Sequence, residues 1–271
     1  MIMYPVYDNT IDNNNNNNYN NNYNNNNYNN NNYNNNYNNN YTSFDQFEDK
    51  RLRKKFVRKT LFTFSLSLFT TLGFCIGFKN IPTIDTFVKS ELGEALYILS
   101  ASTTFLTMFV CLCCEDLLRK TPSKYIIYSL FVLAISYSLG IASLYIKSDI
   151  LYISIIVTTG TTTSLILYSF IATTDFTEYY TYLVAIFMCL IFIGIVNIFF
   201  NNTIIQIIIS GGGALIFACF IVFDMQMILG QKHIKYKYSV DDFILAAMSL
   251  YLDVINMFLY IIQFLTLTSS D

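Results

Sequence analysis

Seven apolar runs follow one another along the chain after residue 59, at about 60–78, 95–114, 125–146, 150–174, 179–200, 204–229 and 243–268. Each is close to the roughly 20 residues that a helix needs to cross a bilayer, so the pattern predicts an all-α membrane protein with seven transmembrane helices. The stretch from Tyr179 to Gly230 carries a single charge, Asp224, and is too long for one helix. The polar step Asn201, Asn202 and Thr203 divides it into two spans. The last run again holds one charge, Asp253, and is preceded by Ser239 with Asp242 three residues on, which resembles an N-terminal capping box.

The first 50 residues have different physics. From Asn13 to Asn40 there is only asparagine and tyrosine, with Tyr19, Tyr23, Tyr28, Tyr33 and Tyr37 four or five residues apart. Such a tract has no aliphatic surface to offset its conformational entropy, so residues 1–49 are expected to form a disordered cytosolic tail before a membrane domain at 50–271. A basic start, an apolar run and a small-residue cleavage site are missing from the first 30 residues. The first transmembrane helix is therefore expected to act as the insertion signal. The whole chain is 54% apolar and 13% charged, and the apolar excess falls almost wholly after the tail, which points to lipid as the solvent.

Charge position sets the orientation. Lys50, Arg51, Arg53, Lys54, Lys55, Arg58 and Lys59 form a basic collar directly before the first span. With the amino end in the cytosol, thirteen of the sixteen lysines and arginines fall on that side, and only Lys79, Lys89 and Lys147 fall on the other. The net charge of -2 gives no basic stripe for nucleic acid. The sole histidine, His233, lies in a lysine-rich loop where solvation explains it, so no catalytic triad and no enzyme is expected. The six cysteines sit in or at the ends of apolar runs and read as small core residues. Cys111, Cys113 and Cys114 would be scattered around a helix and do not make a metal cluster, although Cys113 and Cys114 stand where palmitoylation occurs. The sequon at Asn201 hugs the membrane, where glycosylation is not expected.

The chemistry is concentrated in what stays ionisable inside the spans, because an aspartate in hydrocarbon costs roughly 3 kcal/mol or more. Only Asp224 and Asp253 qualify. Counted from the cytosolic ends of their runs at about 1.5 Å per residue, they lie about 9 and 15 Å deep, so a tilt or a helix break has to bring them together. Gln226 and Asn256 are the neutral groups placed to support them. At a separation of about 4 Å and an effective dielectric near 20, two carboxylates repel by about 4 kcal/mol. A meeting pair would then hold one proton between them, and losing it would leave a doubly negative site for a hard divalent cation. Two carboxylates fall short of the roughly six to eight oxygens of tight calcium sites, so weak transit of calcium suits them and no tightly bound cofactor is expected.

The carboxyl-terminal third, GGGALIFACFIVFDMQMILGQKH followed by DDFILAAMSLYLDVINMFLYIIQFL, resembles the Bax-inhibitor or lifeguard family, the transmembrane BAX inhibitor motif proteins. FVRK before the first span, CCEDLLRKTP after the second and ATTDFTEY between the fourth and fifth agree with it, so the likeness covers about 50–271. Ser67 stands where many members have glutamine, and Thr174 where they have lysine. The resemblance implies a helical bundle with the last span central and a pair of aspartates at Asp224 in FDMQ and Asp253 in LYLDVIN. Arg119 and Lys120 match the basic residues that follow the second span in the family; they read first as ordinary positive-inside anchors, with partners for an ionised pair as the second reading. The implied function is a pH-sensitive calcium leak in an internal membrane, endoplasmic reticulum or Golgi, with a role in restraining cell death. The alternative is a non-conducting membrane adaptor that acts through protein partners. In either case the chain deals with the lipid bilayer, and in the first also with calcium and protons.

The charge count predicts that an amino-terminal tag is cytosolic and a carboxyl-terminal tag lumenal or external. Protease protection in sealed vesicles checks it: digestion of both tags would make the seventh segment re-entrant.

Overall fold

The computed structural model describes residues 30–113, 122–230, 238 and 241–269, with side chains left aside at 30–49, 82, 85 and 108–113. The described residues form eight α-helices and one short 3-10 turn, with no strand among them. These are α1 (Asn30–Asn80), α2 (Pro82–Val88), α3 (Glu91–Cys113), α4 (Ser123–Tyr145), α5 (Ser148–Ile171), α6 (Tyr180–Phe200), α7 (Thr203–Leu229) and α8 (Phe243–Thr268), with the 3-10 turn at Phe176–Tyr179. Among the described residues six stretches are long and apolar enough to cross a membrane: Lys50–Asn80, Ser123–Tyr145, Ser148–Ile171, Phe176–Phe200, Thr203–Leu229 and Phe243–Thr268. They match the expected runs to within a few residues, except that the first stretch starts ten residues earlier than its apolar run. Helix α3 lies where the second span is expected.

The helical backbone of α1 reaches upstream to Asn30 and so takes in the end of the asparagine and tyrosine tract that was expected to be unordered. Extending an existing helix adds backbone bonds without a new nucleus, which lets a poor helix former follow a strong one. The rest of the tail, residues 1–29, lies outside the described residues.

The break after α6 is built by three asparagines. Asn201 takes a left-handed conformation at φ 46°, which its short polar side chain tolerates. Asn202 then caps α7, its side-chain oxygen accepting from the backbone N–H of Ile204 and Ile205 at 2.9 and 3.2 Å. Asn197, itself buried, accepts from Asn202 N at 3.1 Å and closes the turn. At the start of α8 the expected capping box is absent in part: Asp242 makes no side-chain cap bond, and Ser239 lies outside the described residues.

The core follows the last two helices. Helices α7 and α8 form the most extensive pairing, and α8 also packs on α1, α5 and, more lightly, α4. Its residues Ala246, Ala247, Leu250 and Tyr251 are fully buried. Helix α6 touches the bundle mainly through α7 and leaves most of its aliphatic and aromatic side chains outside, as lipid-facing surface does. Small residues let α7 and α8 come close: a Cβ at Gly213 would stand 2.6 Å from the Tyr260 ring. Hydroxyls join α1 to the centre, with Thr71 bonded to Ser136 at 2.9 Å and to Tyr251 at 2.8 Å, and Ser67 to Tyr128 at 2.6 Å. The reading of all cysteines as core residues holds for Cys75, which is buried, but not for Cys189 and Cys219, which are exposed on the outside of α6 and α7. Lipid tolerates a thiol there as readily as a core does.

Candidate functional site

Asp224 lies on α7, five residues before its end, and Asp253 lies near the middle of α8. The two carboxyl groups lie close enough for each to act on the other. Asp224 is 2% exposed, whereas Asp253 keeps partial exposure. The depth mismatch of about 6 Å expected from residue counting does not keep them apart.

Around the pair the partners are few. Ser249, one turn before Asp253 on α8, is hydrogen-bonded to the Asp224 carboxyl. The second Asp224 oxygen, Oδ2, is buried with no hydrogen-bond partner in the protein. Tyr238, from the connection between α7 and α8, is buried against Ser249 and Asp224. Burial, and then the charge of Asp224, pushes its phenol well above the usual tyrosine range, so it stays a neutral hydroxyl. Among the described residues there is no group of three or more His, Cys, Asp or Glu side chains able to hold a metal ion. A cation at the pair would have two carboxylates and must draw its other oxygens from water and backbone.

Two residues expected to support the pair have other tasks. The Gln226 side chain donates to Thr174 O at 2.7 Å and accepts from Phe176 N at 2.8 Å, which ties α7 to the connection between α5 and α6. Glutamine fits because its amide carries donor and acceptor together. In the same connection Asp175 accepts from Thr177 N at 2.8 Å and starts the 3-10 turn. Asn256 donates to Leu252 O, four residues back on its own helix, at 2.8 Å. Arg119 and Lys120 lie outside the described residues.

Sequence reasoning missed Arg53. It was one of seven collar cations, but its guanidinium donates to Leu229 O at 3.3 Å and also to Met227 O and Tyr238 O. The first two of these end α7, one turn past Asp224, and the third belongs to the connection to α8. A helix C-terminus leaves four carbonyls unpaired and carries partial negative charge, so a forked cation there both pairs and neutralises it. Gly230 makes room for it: the residue is left-handed at φ 55°, and a Cβ on it would stand 2.5 Å from Arg53 Nη2. Arg53 also lies over the Phe56 ring at 4.8 Å. Lys59 and Lys124 approach the Phe243 ring at 3.7 and 5.1 Å, so the collar, the start of α4 and the start of α8 share one end of the bundle. Lys79 caps the end of α4 at the opposite end, donating to Leu144 O at 3.3 Å and to Ile146 O. The only signal for Arg53 in the sequence was a basic residue one to two turns before a span, which positive-inside charge explains equally well.

The family described as "Inhibitor of apoptosis-promoting Bax1" matches residues 53–270. Protein lifeguard 3 of Homo sapiens is 25% identical over 222 residues, covering 80% of this chain and 70% of that protein. Protein LIFEGUARD 2 of Arabidopsis thaliana is 29% identical over 228 residues, covering 82% of this chain and 92% of its own length. Protein LIFEGUARD 3 of the same plant is 30% identical over 224 residues, covering 80% and 86%.

Arg53→Ala takes the guanidinium from Leu229 O and Met227 O at the end of α7 and from Tyr238 O in the following connection, and is expected to cost about 1–3 kcal/mol. The melting temperature of the purified protein in detergent reads this. Arg53→Lys is expected to recover only part, since an ammonium cannot reach three carbonyls as a fork does. A melting temperature unchanged in Arg53→Ala would remove the cap from the account.

Proposed function

The chain belongs to the Bax-inhibitor and lifeguard family, and from that premise we propose that it is a pH-sensitive calcium leak of an internal membrane that restrains cell death. It is a multi-pass helical membrane protein of an anti-apoptotic family. The finer reading rests on one observation: the two carboxyls left inside the spans, Asp224 and Asp253, meet in the bundle with one Asp224 oxygen unpaired. A proton held between the two closes the pair upon itself. Its loss as pH rises leaves two negative groups in a poorly hydrated place, which draws a divalent cation and pushes the carboxylates apart. Calcium passes through such a site without being stored, because two carboxylates are too few to hold it tightly. We place seven crossings, with α3 as the second, the amino end in the cytosol, and the endoplasmic reticulum or Golgi as the compartment.

Calcium flux from purified protein in liposomes over a pH series tests the reading. The wild-type chain is expected to leak more calcium as pH rises. Asp224→Asn and Asp253→Asn are each expected to flatten that dependence, and the double replacement to add much less than the sum of the singles. Additive effects, or an unchanged pH profile with intact folding, would leave the non-conducting adaptor as the better account.

A further inference from the structure

At the collar end of the bundle two lysines from different helices share one aromatic ring. Lys59 of α1 holds its ammonium 3.7 Å from the centroid of Phe243, and Lys124 of α4 holds its own 5.1 Å from the same centroid. Phe243 is the first residue of α8 and is buried at 4% exposure, so the ring is a fixed platform. Tyr125 packs against it with centroids 6.2 Å apart and gives Lys124 a second ring at 5.6 Å. An aromatic face attracts a cation through its quadrupole but does not neutralise it, so two like charges drawn onto one ring still repel.

The surroundings do not balance this charge. Among the described residues neither ammonium has an ion-pair partner. Of the two carboxylates that precede Phe243, Asp242 is buried at 7% exposure and has a partner of its own, and Asp241 is exposed. Lys124 is the second residue of α4, whose first turn holds no acidic residue and whose Pro122 cap makes no side-chain bond. A helix start carries partial positive charge and favours an anion, so a lysine there adds to charge of its own sign. Lys55, one turn before Lys59 on the same face of α1, brings a further cation.

We propose that Lys59, Lys124 and the start of α4 form a binding site for an anionic phospholipid with a phosphomonoester headgroup. The height in the membrane selects the source. Both lysines stand directly before the apolar runs of their helices, at the level where the phosphates of a leaflet lie. Just inward, Phe62 and Ile126 are 70% and 57% exposed, an apolar outer surface for acyl chains. The charge selects the headgroup. A phosphomonoester carries about −1.5 to −2 charges at pH 7 and three strong acceptor oxygens, enough to pair both ammoniums at once. A phosphodiester carries one charge, and phosphatidylcholine places its own cation beside it. Hydrogen-bonded at about 2.8 Å on two sides, one phosphate group bridges two ammoniums that both lie within 5.1 Å of one centroid. The bound headgroup joins α1 to the starts of α4 and α8.

Native mass spectrometry of the full chain, released from detergent micelles after titration with phosphatidic acid, reads the bound lipid as a discrete mass increment. One equivalent is expected to bind saturably, phosphatidylserine and phosphatidylcholine more weakly, and inorganic phosphate is expected not to compete because it lacks the acyl chains. Lys59→Gln and Lys124→Gln are each expected to weaken the affinity about fivefold, and the two together about thirtyfold. Lys50→Gln with Lys54→Gln takes the same charge from exposed collar positions and is expected to leave the affinity unchanged. Equal losses in the two double variants would reduce the site to the general attraction of the collar and overturn the proposal. Displacement by inorganic phosphate would overturn it in favour of a free-anion site. The lipid selectivity is read on the unaltered chain and stays decisive should a variant fold poorly: equal or unsaturable binding of phosphatidic acid and phosphatidylcholine would overturn it as well.

Discussion

A carboxyl group in the middle of a membrane bundle has to find its partners within the protein, because lipid supplies none. Asp224, at 2% exposure, sets this condition for the whole structure. Asp253 and Ser249 on α8 face one side of it, its Oδ2 keeps no partner in the protein, and α7 and α8 form the most extensive helix pairing of the bundle. The other helices are arranged around that pair. Helix α1 reaches it from two sides, with Thr71 bonded to Tyr251 of α8 in the membrane and Arg53 capping α7 at the collar end. Gln226, half a turn past Asp224, fixes the connection from α5 to α6. The polar groups of α7 thus hold three separate parts of the chain in place within two turns of Asp224.

These contacts also separate the two ends of the site. Towards the collar, the end of α7 is closed by the Arg53 fork and by Tyr238, whose backbone N–H donates to Met227 O at 3.3 Å. Deeper in the membrane α8 leads from Asp253 into a cavity between α1 and α5. A change in the carboxyl pair therefore bears on a cap at one end and on an open, lipid-facing space at the other.

Much of the architecture was legible in the sequence because membrane spans are long, uncharged and separated by polar steps. The run at Tyr179 to Gly230 was divided correctly by three residues, Asn201, Asn202 and Thr203, whose side chains terminate one helix and cap the next. The aspartate pair was legible because few carboxylates are tolerated in spans, so the two that remained were worth comparing. What could not be read was three-dimensional. Depth counting left Asp224 and Asp253 apart, since helix offset and tilt do not appear in a linear count. Gln226 and Asn256 looked alike as neighbours of the pair, yet one reaches across to Thr174 and Phe176 and the other bonds its own helix. Arg53 was hidden among seven equivalent collar charges.

The central claim is that Asp224 and Asp253 behave as one carboxyl pair that holds a proton between them. Infrared difference spectroscopy of the purified chain in lipid, recorded across a pH step, observes the C=O stretch of a protonated carboxyl directly. The account predicts one such band in the wild-type chain, lost on raising the pH, moved in frequency and midpoint by either Asp224→Asn or Asp253→Asn, and absent when both are replaced. A band that one replacement removes and the other leaves untouched, or no band at any pH, would contradict it.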